Sequence, residues 1–202
     1  MTNIPIPKKA VLVAETLSQP KSASHVPSIA GLRFLITRTG FEFAVRAVGP
    51  FDEPALADLF SHVDKDDMRF RFLSPRKPSH EMLKEMLDVD HDRKESYIAV
   101  APDSHTVIAN AVVAADTANE RAEVAIAMHR DYKGKGVGWA LLRYIAEQEA
   151  RKGVKTLQSI ENRENHQAIE LEREMGFKAS SYLGDATLML LELDLTHDSS
   201  TI

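Results

Sequence analysis

The chain has 202 residues, 44% of them hydrophobic and 27% charged, enough for one domain with a buried core. A net charge of -5 argues against a general nucleic-acid binder, which needs a cationic footprint to displace counterions. The absence of cysteine removes disulfides, thiolate nucleophiles and cysteine-ligated zinc. No stretch approaches the roughly 20 apolar residues that cross a bilayer. The short apolar run after Lys8 and Lys9 meets Glu15 too soon to be a signal-peptide core. The expectation is a soluble, cytoplasmic chain with no membrane or nucleic-acid partner.

Residues 1–30 are rich in Ser, Pro and Lys without a sustained period, and read as a flexible arm. Residues 31–197 read as a single domain and 198–202 as a disordered tail. Residues 33–36 and 41–48 look like a hairpin joined by Arg38-Thr39-Gly40. Asp52 can cap a helix bearing Leu56, Leu59, Phe60 and Val63, and a second helix starts near Ser79 with Met82, Leu83, Met86 and Leu87 on one face. Strand candidates follow at 96–101, 107–115 and 122–128, with turns at Pro102-Asp103-Ser104 and Thr117-Ala118-Asn119. The pattern then changes. Val137, Ala140, Leu141, Tyr144 and Ile145 trace a helical stripe stopped by Gly153, residues 155–160 form a strand, and Asn165 opens a helix that Gly176 ends. Residues 177–182 and 186–195 are the last strands. Antiparallel strands first and one parallel crossover later describe an α+β, mixed α/β, domain.

The chemistry-bearing stretch is Lys133-Gly134-Lys135-Gly136-Val137-Gly138-Trp139, entered from a strand and running straight into a helix. Glycines admit positive φ and close approach of a ligand, and successive N–H groups at a helix N-terminus form an anion site. A pyrophosphate is the natural guest. On the glycines alone, a strand-to-helix turn packed tightly for structural reasons explains the spacing equally well. A Walker loop is excluded because Gly134-Lys135 is followed by Gly136, and a dinucleotide fingerprint because the spacing is G-x-G-x-G.

This segment resembles the acetyl-CoA motif of the GNAT acetyltransferase superfamily, Q/R-x-x-G-x-G/A, with Lys133 where Gln or Arg is usual. Asn165, eleven positions before Gly176-Phe177, matches the asparagine and the G-F pair of the family's later motif. The resemblance implies a bent, mostly antiparallel mixed sheet flanked by helices and split between the fourth and fifth family strands, with acetyl-CoA as co-substrate in the split. Residues 122–128 would be the fourth family strand, carrying a bulge. The backbone of Ile126, Ala127 and Met128 would pair with the pantetheine arm, and the loop from Lys133 through Gly134, Lys135, Gly136, Val137 and Gly138 to Trp139, with Asn165, would complete the cofactor site. A bulge N–H, that of Met128, would polarise the thioester carbonyl.

An amine must lose a proton before it attacks a thioester, and a carboxylate is the usual acceptor. Period-2 alternation puts Glu123, Ala125 and Ala127 on one face and Val124, Ile126 and Met128 on the other. From pattern alone, Glu123 reads as a solvated strand residue. The resemblance makes it the base instead, because Ala122-Glu123-Val124-Ala125 matches the A-E-[FV]-A stretch of the protein-lysine acetyltransferase branch. Arg69-Phe70-Arg71-Phe72-Leu73-Ser74-Pro75, Ser79-His80-Glu81-Met82-Leu83 and the Asp88-to-Lys94 loop resemble further pieces of bacterial protein acetyltransferases. The implied acceptor is a protein lysine, as in an acyl-CoA synthetase. Small amines such as polyamines or amino acids are the alternative, and a non-catalytic acyl-CoA sensor is a third reading. The tyrosine that serves many members as general acid is replaced by Glu172. Asp88, Asp90, His91 and Asp92 read as turn formers rather than metal ligands, and His129 as a surface residue. No metal is expected.

Overall fold

A computed structural model describes residues 31–72, 76–102 and 106–196. The expected arm and tail, most of the 102–104 turn, and Leu73, Ser74 and Pro75 lie outside these. The first hairpin is β1 (Arg33–Ile36) and β2 (Glu42–Ala47), closed by Gly40 at φ 83. Three helices follow, α1 (Glu53–Ser61), α2 (Lys65–Phe72) and α3 (His80–Leu87). Then come β3 (Lys94–Val100), β4 (Val107–Ala115), β5 (Arg121–Met128), α4 (Val137–Arg151), β6 (Thr156–Asn162), α5 (His166–Glu174), β7 (Lys178–Ser181) and β8 (Leu188–Asp194). The eight strands form one sheet in the order β1-β2-β3-β4-β5-β6-β8-β7, and β5–β6 is its parallel pair. The expected α+β class holds, with strand ends within about two residues.

Strand alternation divides the core into two layers. Tyr97, Ala99, Ala111, Val113 and Val124 face α4, whose Leu141, Leu142 and Ile145 are fully buried. Ile98, Val112 and Ala127 face the opposite side, against Leu56, Leu59 and Phe60 of α1, Met68 and Phe72 of α2, and Leu83 and Met86 of α3. Each fully buried large side chain contributes about 1.5–3 kcal/mol relative to exposure, so α1 is anchored by three.

Three local expectations fail for identifiable reasons. The Asp52 side chain does not cap α1, because its oxygens accept from the Arg46 guanidinium at 2.6 and 2.7 Å and from Gly49 N–H at 2.6 Å. Helix α2 was not expected, since Met68 and Phe72, one turn apart, are its sole buried residues. No bulge interrupts β5. Its register against β4 runs unbroken from Ala115↔Ala122 to Ala109↔Met128, and the irregularity lies in the β3–β4 pair at Ala99/Val100.

Candidate active site

The sheet comes apart at one residue. β5 and β6 pair at Arg121↔Thr156, Ala122↔Leu157 and Glu123↔Gln158, and no further. Beyond Glu123, β5 stays on β4 to Met128, while β6 stays on β8 to Asn162. The hydrogen bonds Asp116 N–H to Arg121 O (2.8 Å) and His129 N–H to Ile108 O (2.9 Å) bracket the β4–β5 ladder. Antiparallel strands alternate hydrogen-bonded and non-bonded pairs, so Glu123, Ala125 and Ala127 turn their backbone groups toward β4. Val124, Ile126 and Met128 turn theirs toward the gap left by β6. Of the residues expected to pair with the pantetheine arm, Ala127 has its backbone committed to the β4 ladder and its side chain to the α1–α3 core. Val124, which the sequence reading left out, turns its backbone to the gap instead, and only the register could show it.

The gap opens into a cleft of about 520 Å³, lined by Val124, Ile126 and Met128, by the loop from Tyr132 to Trp139, by Glu161 and Asn165, and by one face of α5. α2 contributes Asp67, Phe70 and Arg71 to the same cleft. The glycines differ in what they do. Gly134 and Gly136 sit at φ 73 and 81, the left-handed region that L side chains avoid, and Gly136 is the N-cap of α4. A Cβ on Gly136 would lie 3.1 Å from Thr37 Cβ, because the β1–β2 turn packs on the loop and Thr39 Oγ1 donates to Lys135 O at 2.8 Å. Gly138 has helical backbone, and a Cβ there would meet Met128 Cε at 3.4 Å and Leu171 Cδ1 at 3.5 Å, at the wall of the cleft. The start of α4 thus offers N–H groups and a positive dipole end to an anion.

The lysines of the loop are otherwise engaged. Lys133 Nζ donates to Asp64 at 2.8 Å and pairs with Asp67 at 2.5 Å. Burial would lower its pKa, but the hydrogen bonds it donates to the two aspartates outweigh that and raise it. Its charge is spent on the α2 N-terminus. Lys135 lies 4.5 Å over the Tyr132 ring and 5.3 Å from that of Phe41. Trp139 has its indole N–H buried without an acceptor among the described residues, beneath Arg38 at 4.8 Å. Asn165 caps α5 through Ala168 N–H at 3.5 Å and donates to Glu161 Oε2 at 2.8 Å.

Glu123 is buried, 8% exposed, where β5 and β6 part. It is not the solvated residue its pattern alone implied. Arg71, reaching in from α2, feels it electrostatically: burial pulls the guanidinium below its ordinary range, and Glu123 and Glu161 push it back. Glu172, at the tyrosine position, is buried in the cleft and accepts a hydrogen bond from Ser159 Oγ. His129 is also buried rather than superficial, stacked 4.6 Å from His62, and its pKa is lowered by burial and then by His62. Asp90 Oδ1 accepts from the N–H groups of Asp92, Arg93 and Lys94, the turn-former role expected of that loop. Among the described residues no group of three or more His, Asp or Glu is placed to hold a metal, and no helix is long and apolar enough to cross a membrane.

The model of the Acetyltransferase (GNAT) family matches residues 60–177, more than half of the chain. The chain belongs to that family. This acetyltransferase is similar in fold to the GNAT domain of S. lividans PAT, with a TM-score of 0.76 at 20% identity, covering 84% of this chain and 99% of that one. It is similar also to a cAMP-binding acyltransferase from Mycobacterium smegmatis, TM-score 0.56 at 23% identity, covering 82% of this chain but 48% of that protein, about half its length. A ribosomal-protein-S5-alanine acetyltransferase from Vibrio fischeri gives a TM-score of 0.62 at 13% identity, covering 76% and 93%. The GNAT family uses acetyl-CoA as co-substrate. This acetyltransferase has features that suit it: strand-edge amides with no partner strand, an orphaned indole N–H, and glycines where a loop wraps the start of α4.

Proposed function

We propose that the chain moves an acetyl group from acetyl-CoA to an amine, foremost a lysine side chain of a protein, by direct attack in a ternary complex with Glu123 as general base. The observation that supports this reading is the end of β5–β6 pairing at Glu123, a buried carboxylate next in the chain to Val124, the first of the β5 residues that line the cleft. Acetyl-CoA, when bound, supplies the acetyl group as an activated thioester. The N–H groups opening α4 would hold its diphosphate, the edge of β5 at Val124, Ile126 and Met128 would pair with its amide arm, and Met128 N–H would polarise the carbonyl. Glu123 takes a proton from the acceptor's ammonium, leaving the nitrogen lone pair free to attack the thioester carbonyl; as the C–N bond forms and the C–S bond breaks, the coenzyme A thiolate leaves and takes its proton from the attacking nitrogen or from water. A protein-lysine acceptor is supported by the fold similarity to the GNAT domain of PAT, a protein acetyltransferase. The carboxylates of Glu161 and Glu172, which line the cleft, also favour a cationic group there.

Glu123→Gln tests the reading. Acetyl-CoA affinity by calorimetry is expected to stay within about threefold, while kcat on a lysine peptide falls by roughly 10² to 10⁴, the range for loss of a general base. Unchanged turnover at pH 7 removes Glu123 from the role. Tight acetyl-CoA binding with no thiol release on any lysine peptide or small amine would favour the sensor instead.

A further inference from the structure

The β1–β2 turn is fastened to the glycine loop at two points. Thr37 is buried with its Cβ 3.1 Å from where a Cβ on Gly136 would stand, and Thr39 Oγ1 donates to Lys135 O at 2.8 Å. The two hydroxyls lie 2.8 Å from each other. Arg38 stands between these anchors, so its backbone is held over the start of α4. Its guanidinium lies 4.8 Å over the Trp139 ring and donates to Glu174 of α5 at 3.4 Å. The Arg38 side chain is 67% exposed, yet it lines the cleft. Among the described residues, the other cations lining the cleft are Lys133, taken up by Asp64 and Asp67, and Arg71, whose Nε is buried.

Helix α5 gives the cleft an order. At its start Asn165 bonds Glu161 of β6, inside the split. Further on, Leu171 Cδ1 lies 3.5 Å from where a Cβ on Gly138 would stand, beside the glycine loop. About one turn later Glu174 meets Arg38 at the exposed mouth. Acetyl-CoA is built in the same order: thioester, amide arm, diphosphate, then a ribose bearing a 3′-phosphate. With the diphosphate at the opening of α4, the 3′-phosphate is the next charge outward. Glu170 and Glu174 also line the cleft and would repel it, so a cation is needed there. The Arg38–Glu174 pair is long and exposed on both sides, 67% and 63%, and such pairs are held weakly. A phosphate monoester carries about -1.5 to -2 charges at pH 7 and fits the guanidinium fork, so it displaces a single carboxylate. Stacking on Trp139 orients the fork in advance.

We infer that Arg38 is a specificity residue for the cofactor, its guanidinium leaving Glu174 to take the 3′-phosphate of acetyl-CoA. This rests on the reading of the cleft as the acetyl-CoA site, and its test needs no turnover. Calorimetry on the full chain compares acetyl-CoA with acetyl-3′-dephospho-CoA, which lacks that one group. The wild type is expected to prefer acetyl-CoA by about tenfold. Arg38→Gln loses about tenfold on acetyl-CoA and less than about twofold on the dephospho compound, so the preference disappears. Arg38→Lys, which keeps the charge but not the fork, retains part of it. Glu174→Gln removes the competing carboxylate and tightens acetyl-CoA by about two- to threefold, with the dephospho compound unchanged. If Arg38→Gln does not fold, Glu174→Gln decides, and the absence of tightening confined to acetyl-CoA overturns the inference. A folded Arg38→Gln protein that keeps the wild-type preference overturns it too. So does equal loss on both ligands, which would put Arg38 on the diphosphate or in the scaffold. A wild-type chain that binds neither ligand sinks the acetyl-CoA reading itself.

Discussion

The glycine loop makes three demands that alanine substitutions separate. Gly134→Ala places a side chain at φ 73 with nothing within 4 Å of its Cβ, so the left-handed backbone alone acts, at about 1–2 kcal/mol. Gly136→Ala adds to that a Cβ 3.1 Å from Thr37 Cβ. Thr37 has little room to yield: it is buried, and its N–H and Oγ1 are bonded to Phe41 O at 2.9 Å and Phe41 N–H at 3.0 Å. Strain and overlap together come to about 2–4 kcal/mol, a fall in Tm of roughly 5–15 °C for a chain of this size. Gly138→Ala is the reverse case. Its backbone is helical and its new contacts, 3.4 and 3.5 Å, are ordinary ones, so it gains about 0.4–1 kcal/mol by restricting the unfolded chain. The added methyl nevertheless stands at the cleft wall, and acetyl-CoA affinity is expected to fall by about tenfold or more, about 1.4 kcal/mol. Thermal melts and calorimetry on the same samples give both numbers. A Gly138→Ala protein that melts higher and binds acetyl-CoA normally would refute the placement of the cofactor against α4. A Gly136→Ala protein that melts with the wild type would refute the strain reasoning.

Lys133→Met is expected to destabilise the protein by roughly 1–2 kcal/mol by leaving Asp64 and Asp67 without their cation, while the Kd for acetyl-CoA changes less than about threefold; a tenfold loss of affinity would return its side chain to the diphosphate. Glu149 is 1% exposed, and its pKa is raised by burial against the opposing pull of Lys152. A raised carboxyl favours the fold below its unfolded value and loses that contribution as pH rises through its folded value, so the Tm of Glu149→Gln is expected to gain on the wild type from pH 4 to pH 8. A difference that does not vary with pH contradicts this. Asn165→Ala loses the cap on α5 and the bond to Glu161, and is expected to cost about 0.5–2 kcal/mol by denaturant melt.

The parts of this molecule that were legible in the sequence are those written in short-range pattern. Apolar period located α4 and most strands, and alternation put Glu123 opposite Val124, Ile126 and Met128, as the two core layers bear out. The spelling of the loop was enough to find the helix start at Val137. The unread parts depend on partners far apart in the chain. Helix α2 shows little periodicity, because much of its chemistry points across a gap to Glu161, Glu164 and Lys133 rather than into a core. Asp52 has the spelling of a cap, yet Arg46 competes for it, and a charged fork outbids a single helical N–H. Ala127 is expected in the cofactor site only through the resemblance, which takes three consecutive residues of the strand, whereas the direction of its amide is fixed by which β4 residue lies opposite.

The same register explains why the active site needs no bulge. With β5 unbroken along β4, the alternation of bonded and non-bonded pairs already turns every second residue toward β6. Because β6 follows β8 instead, those groups have no strand to meet. An open edge inside a protein is a liability unless something covers it, and the amide-bearing arm proposed to run along β5 would do so. The two half-sheets can remain apart only if something else ties them. The paired stretch ending at Glu123 does this at one end, and α2 does it across the opening through Arg69 and the aspartates that grip Lys133. A helix nearly silent in the sequence is thus what spans the mouth of the split, through Glu164 on one side and Lys133 on the other.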